Sequence, residues 1–231
     1  MNYKNNVEIV VSRYNEDLVW LNEYPFNQFE YIVYNKGDNE EFEKNNVKQI
    51  VRLDNVGRCD HTYLYHIVNN YNNLSNIIVF FTGSLKNNAR KKQFAISILN
   101  HIINSNYQTT CFIGNYSKNL KQKFLTFRLD YYSCSDPDNF SKNSENILQK
   151  CKLRPYGLWY KYFFGNTPSH WWSLGGIFSI DKRDIIQHPV QRYQHLLLTL
   201  NDHSNPEAGH YIERSWGAIF YPLIYTLKQQ E

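Results

Sequence analysis

Ile77 to Phe81 reads IIVFF, an unbroken apolar run between polar neighbours, and it constrains the fold more than any other stretch. A strand with one wet face alternates apolar and polar residues, whereas an unbroken run suits a strand covered on both faces, as in a parallel α/β sheet. Three β-rich segments precede it: Val7 to Ser12 (VEIVVS), Tyr31 to Tyr34 (YIVY) and Val47 to Leu53 (VKQIVRL). Helical patterns fall between and after these strands. Asn15-Glu16-Asp17 followed by Leu18, Trp20 and Leu21 predicts a loop and a helix, and Asn35-Lys36-Gly37-Asp38 a turn. Asn55-Val56-Gly57-Arg58 leads into a helix with Asp60 as its N-cap and Tyr63, Leu64, Ile67, Val68 and Tyr71 as its buried face. Phe94, Ile98 and Ile102 repeat at helical spacing after the apolar run. Strands alternating with helices predict an α/β fold, with a mostly parallel central sheet flanked by helices and joined by right-handed crossovers in a single domain.

The pattern loosens from about Thr109 to Leu153, where SCSDPDNFSKNS is the most loop-like part. This divides the domain into residues 1–108, an irregular connection over 109–153, and a second half over 154–231. That half opens with RPYGLW and continues through Trp171 and Trp172 to Gly175-Gly176-Ile177-Phe178-Ser179-Ile180, where the glycine pair predicts backbone passing close to a ligand or another strand. A last helix is expected with Asn205 as cap, Pro206 at its first position, and Ile212, Trp216, Ile219 and Phe220 as its apolar face.

A formal charge of +4 with scattered basic residues, apart from Arg90-Lys91-Lys92 and the stretch from Lys118 to Lys123, does not demand nucleic acid as a partner. Cys59, Cys111, Cys134 and Cys151 lie far apart with no C-x-x-C pair, so they read as reduced thiols rather than a zinc ribbon or disulfide framework. No stretch approaches the ~20 apolar residues of a membrane span, and the N-terminus lacks a signal-peptide layout. A reducing cytoplasm is the expected compartment.

Four features bear on chemistry. The turn Asn55-Val56-Gly57-Arg58 between a strand and a helix points N–H groups and the positive dipole end at one spot, suited to an anion, with Arg58 as a fork for a diphosphate. A structural turn with a solvated arginine is the equal alternative. In Asn205 to Trp216, a rotation of about 100° per residue sets Glu207, His210 and Glu213 on one stripe, with Glu213 at the border of the apolar face. Half-burial would raise its pKa toward that of a general base, while a surface salt bridge explains the same pattern. A divalent metal has a thin case: Thr82-Gly83-Ser84 follows IIVFF where Asp-x-Asp would be sought, and Asp136-Pro137-Asp138 also suits a plain turn. Trp159, Tyr160, Trp171 and Trp172 offer either a sugar-stacking platform or core packing. No G-x-G-x-x-G and no P-loop motif is present.

Taken together, VVSRYNEDLVWL, YIVYNKGD, NVGR with HTYLYHIVNNYNNL once Cys59 and Asp60 are skipped, IIVFFTGS, GGIFSI and ERSWGAIF resemble a family of small, largely uncharacterised proteins of fungi, algae and large DNA viruses. That family is related to glycosyltransferases of the GT-A type, and the resemblance spans roughly Val7 to Leu99 and Arg154 to Tyr221. It implies a GT-A-like sheet, a nucleotide-sugar donor held by the first half, and a glycan or other hydroxyl acceptor held by the second. Donor contacts fall on Arg13, Asn15, Glu16, Asn55, Gly57, Arg58, Thr82 and Gly83. Acceptor contacts fall on Trp171, Trp172, Gly175, Gly176 and His210, with Glu213 as catalytic base. Cys59 departs from the family pattern, where an acidic residue is frequent. Mn²⁺ or Mg²⁺ is the cofactor such a transferase would use, although the missing Asp-x-Asp leaves it open. An inactive nucleotide-sugar- or glycan-binding module is the alternative reading.

Overall fold

Burial follows the apolar runs. The computed structural model describes residues 6–118, 120–129, 148–168, 170–173 and 175–230. Strand β1 (Val7–Arg13) and strand β4 (Ile77–Thr82) are buried along their whole length, and β2 (Tyr31–Asn35) likewise. Strand β3 (Val47–Arg52) mixes polar and apolar residues and lies at the sheet edge with much of its surface exposed. The five-stranded sheet runs β3-β2-β1-β4-β7, with β7 spanning Phe178–Asp181.

Alternating residues of these strands feed two apolar clusters, as the two-residue period of a strand requires. On one face Val10, Ile78 and Phe80 meet Tyr63, Leu64 and Ile67 of helix α1 (Arg58–Asn70) together with Trp216 and Phe220. On the other, Ile9, Val11, Val79 and Phe81 meet Ala95, Ile98 and Ile102 of α2 (Ala89–Asn104). Helices α3 (Leu120–Phe124), α4 (Tyr156–Phe164), α5 (Lys182–Ile186), α6 (Val190–Leu197), α7 (Glu207–Glu213) and α8 (Trp216–Ile219) complete the layers. The result is a single-domain α/β protein whose central sheet is flanked by helices.

The sheet is mostly parallel: β1 to β4 are mutually parallel, and β7 joins its edge antiparallel to β4. Several other expectations need correction. The stretch after β1 makes two short 3-10 turns, Val19–Asn22 and Phe26–Gln28, instead of an α-helix, with Leu18 left-handed at the start of the first (φ 55°). The region 109–153 contains β5 (Cys111–Tyr116), which joins β6 (Trp171–Trp172) and β8 (Leu227–Gln230) in a second sheet. Asp136, Asp138 and Cys134 lie outside the described residues.

Asp60 does not cap α1. Gly57, at φ 62°, precedes the helix, and Asp60 turns inward to accept a hydrogen bond from the Trp216 indole (3.0 Å). The last helix is two short ones. Ser215 Oγ donates to the Tyr211 carbonyl (2.8 Å) and meets Tyr156 Oη at 3.0 Å, a local competition with the helical ladder at the break. Asn205 does not cap α7, because its side-chain oxygen accepts from Arg58 (3.0 Å). Trp159 and Tyr160 are fully buried core residues.

Glu207 does not share the face of His210 and Glu213. It is fully buried, pairs with Arg154 (Nε to Oε2, 2.8 Å) and accepts from the backbone N–H groups of Leu129 and Cys151, both at 3.0 Å. Removing one partner of such a buried pair strands the other groups without water. Glu207→Ala is therefore expected to cost about 3 kcal/mol in urea denaturation. A loss below about 1 kcal/mol would show that this carboxylate is not what anchors α7.

Candidate functional site

A strand order of 3-2-1-4 means the chain leaves β1 in one direction and later returns on its other side. Loops at the carboxyl ends of β1 and β4 therefore diverge and open a crevice, the usual ligand position in open α/β sheets. A cleft of about 320 Å³ lies there, with Ser12 and Arg13 at the end of β1, Thr82 at the end of β4 and Ser84 just beyond it. Asn55, Arg58, Cys59 and Asp60 from the start of α1, and Gly209, His210 and Glu213 from α7, complete much of its wall. Arg58 and Glu213 thus face one cavity.

The remaining candidates divide. Glu16 lines the cleft, and its Oε2 accepts from the Tyr14 N–H (2.7 Å). Gly175 lines it and donates its N–H to Glu213 Oε1 (2.6 Å), while Glu213 Oε2 lies 3.5 Å from the Arg214 guanidinium. Gly57 and Gly83 act from behind the lining: the first precedes α1, and the second accepts from the Trp20 indole (3.0 Å). Gly176 likewise uses its carbonyl to hold Tyr63 Oη (2.7 Å). Asn15 is exposed and outside the lining. Trp171 and Trp172 are not brought to this cleft; Trp171 borders a separate cavity with Tyr221 and Leu223, and Trp172 packs on Phe124.

Two basic wall residues were not singled out as ligand contacts from the sequence, Lys36 and Lys91. Lys36 sits just past β2, and its ammonium donates to the carbonyls of Val56 and Arg58 (2.6 Å to the latter). Lys36 thereby ties the end of β2 to the start of α1, where Arg58 itself is left-handed (φ 54°). The N–H groups of Val56 and Gly57 are taken by the carbonyls of Asp54 (2.9 Å) and His203 (2.8 Å), so the donors this turn offers an anion are those of the first helical turn, reinforced by the helix dipole. The signal for Lys36 was available: it lies at the carboxyl end of a parallel strand.

Burial governs the charges. Burial holds Lys36 down to about 8, against the opposing pull of Cys59 and Asp60. The Cys59 thiol is pushed up to about 12, first by burial and then by the Asp60 charge. His210 is held down to about 3 by burial and by Arg58 and Arg214, so its imidazole is neutral, and its Nε2 has no hydrogen-bond partner among the described residues. Asp60 rises to about 7 through burial and the Glu213 charge, against the Trp216 hydrogen bond. Arg13 is fully buried, with Nε bound to the Glu16 carbonyl (2.7 Å) and Nη1 to Asn35 (2.6 Å), leaving Nη2 without a partner among the described residues.

No three His, Cys, Asp or Glu side chains converge to hold a metal ion among the described residues. Cys59, Cys111 and Cys151 are free thiols. No helix among the described residues is long and apolar enough to cross a membrane.

These features define an α/β protein with a polar cleft, lined by both cationic and carboxyl side chains, at the switch point of its sheet. The chain belongs to the family described as "Protein of unknown function (DUF3431)", whose sequence profile matches residues 9–230. No curated protein and no solved structure gives a significant match.

The Asp60 proton has a measurable consequence. Its pKa rises from 3.8 in the unfolded chain to about 7 in the fold. Folding then takes up a proton between those values, so the stability it contributes is complete below about pH 4 and lost as pH rises through about 7. Asp60→Asn keeps an acceptor for Trp216 and removes the titration. Its stability relative to the parent protein is expected to improve by up to roughly 4 kcal/mol between pH 4 and pH 8 in urea melts. A pH-independent difference would mean that Asp60 is ionised throughout.

Proposed function

We propose that the protein is a GT-A-like glycosyltransferase that moves a sugar from a nucleotide-sugar donor to an acceptor hydroxyl with inversion. One observation carries the reading: the anion-seating turn at Arg58 and the carboxylate of Glu213, far apart in sequence, line one cleft at the switch point of the sheet. A diphosphate suits the N–H groups and cations at the start of α1. The sugar would then lie toward α7, where neutral His210 offers a ring nitrogen and Glu213 a carboxylate.

In the proposed step the acceptor oxygen forms a bond to the anomeric carbon while the bond from that carbon to the diphosphate oxygen breaks. The bonding pair leaves with the nucleoside diphosphate, and the acceptor proton passes to Glu213. Orientation of the two substrates and stabilisation of the leaving charge would supply most of the acceleration.

The test pairs calorimetric titration of UDP-, GDP- and TDP-sugars with a transfer assay against an acceptor panel. Donor binding and transfer are expected, and Glu213→Gln should lower kcat by about 10²- to 10⁴-fold while donor affinity stays within about twofold. Full transfer activity in that variant would remove Glu213 as base. Donor binding without turnover would identify a binding module, and an absence of binding to any nucleotide sugar would overturn both readings.

A further inference from the structure

A transferase of this kind must neutralise the departing diphosphate, commonly with a divalent ion held by carboxylates. The three carboxyl groups of the cleft do not suit that task. Glu16 accepts from the Tyr14 N–H, Glu213 from the Gly175 N–H, and Asp60 from the Trp216 indole, so each already has an oxygen engaged. At the end of β4, where a metal-binding pair would be sought, the hydroxyls of Thr82 and Ser84 meet each other at 3.2 Å. Hard divalent ions require a convergent oxygen shell, and this donor set does not provide one.

Cations, in contrast, converge. Arg13, Lys36, Arg58 and Lys91 all line the cleft, coming from β1, the turn after β2, α1 and α2. Lys91 is the informative one. Its neighbours on this stretch have carboxylate partners, Lys86 with Asp17 (2.7 Å) and Lys92 with Glu23 (2.5 Å), whereas Lys91 has no ion pair among the described residues. Its aliphatic stem crosses Gly175, which is left-handed (φ 91°); a Cβ there would stand 2.9 Å from Lys91 Cε. The glycine therefore admits the stem at the cleft wall, next to the N–H that holds Glu213. The backbone of Lys91 is fixed as well, donating to the Asn88 side chain that caps α2 (3.1 Å).

We propose that Lys91 and Arg58 together take the charge of the donor diphosphate, so that a nucleoside diphosphate binds this cleft without a divalent cation. This rests on the transferase reading of the same site and adds Lys91 as a donor-binding residue. Lys36 is a positioning residue beside them, tying the end of β2 to the start of α1 through the carbonyls of Val56 and Arg58.

The test is calorimetry on the full chain with UDP and with GDP, once in excess EDTA and once in Mn²⁺. Affinities in the two buffers are expected to agree within about twofold. In EDTA, Lys91→Gln should weaken binding by roughly 10- to 100-fold, the loss of one charge-assisted contact. Lys91→Arg should recover most of it, and Lys92→Gln should change nothing. Binding that appears only with Mn²⁺, or a Lys91→Gln variant as tight as the parent with an unchanged thermal melt, would overturn the inference and leave the transferase reading standing. No binding in either buffer would overturn both.

Discussion

Strand β1 has parallel neighbours on both sides, and the architecture follows from that constraint. A parallel neighbour can only be reached by a crossover, so the carboxyl ends of β1, β2 and β4 all emerge at one edge of the sheet. Whatever the chain needs at a common point is cheapest to supply there. Arg13, Lys36, Thr82 and Ser84 are each at or just beyond such an end, and the start of α1 lies beside them. The cleft is thus a by-product of strand direction, furnished by whichever side chains happen to stand at the rim.

Much of the first half was legible because its signals are local. IIVFF, VEIVVS and YIVY are unambiguous strands, and the period of Tyr63, Leu64 and Ile67 fixes the buried face of α1. What escaped depends on distant partners. Asp60 has the position of a first-turn acid, but a buried indole far along the chain draws it inward. Asn205 carries a capping side chain and spends it on Arg58. Glu207, His210 and Glu213 share a helical spacing, yet Arg154 and two backbone N–H groups claim the first and leave the others to the cleft. Spacing identifies which residues share a helix face; only the tertiary packing says what that face meets.

The site shows the same division. Arg58 and Glu213 were recognisable from a glycine turn and a border carboxylate, both features of a few consecutive residues. Lys36 and Lys91 were concealed in a turn and in the basic triplet Arg90-Lys91-Lys92, where three similar side chains give no hint of which one turns inward. Gly175 marks the choice, since its missing Cβ admits the stem of Lys91. Trp171 and Trp172, conspicuous as a pair, belong to the second sheet, where β6 pairs with β5.

The break at Ser215 leaves His210 and Glu213 on a helix of only seven residues. So short a helix cannot hold its shape by its own ladder. Its orientation is inherited from moorings at its ends: Glu207 on Arg154 and Ser215 against Tyr156, which lie outside the cleft lining, and Glu213 on the Gly175 N–H within it. One wall of the cavity is therefore held in part by residues the ligand never meets, and drift in Arg154 or Tyr156 over evolution would re-aim that wall while the sheet beneath it stayed as it is.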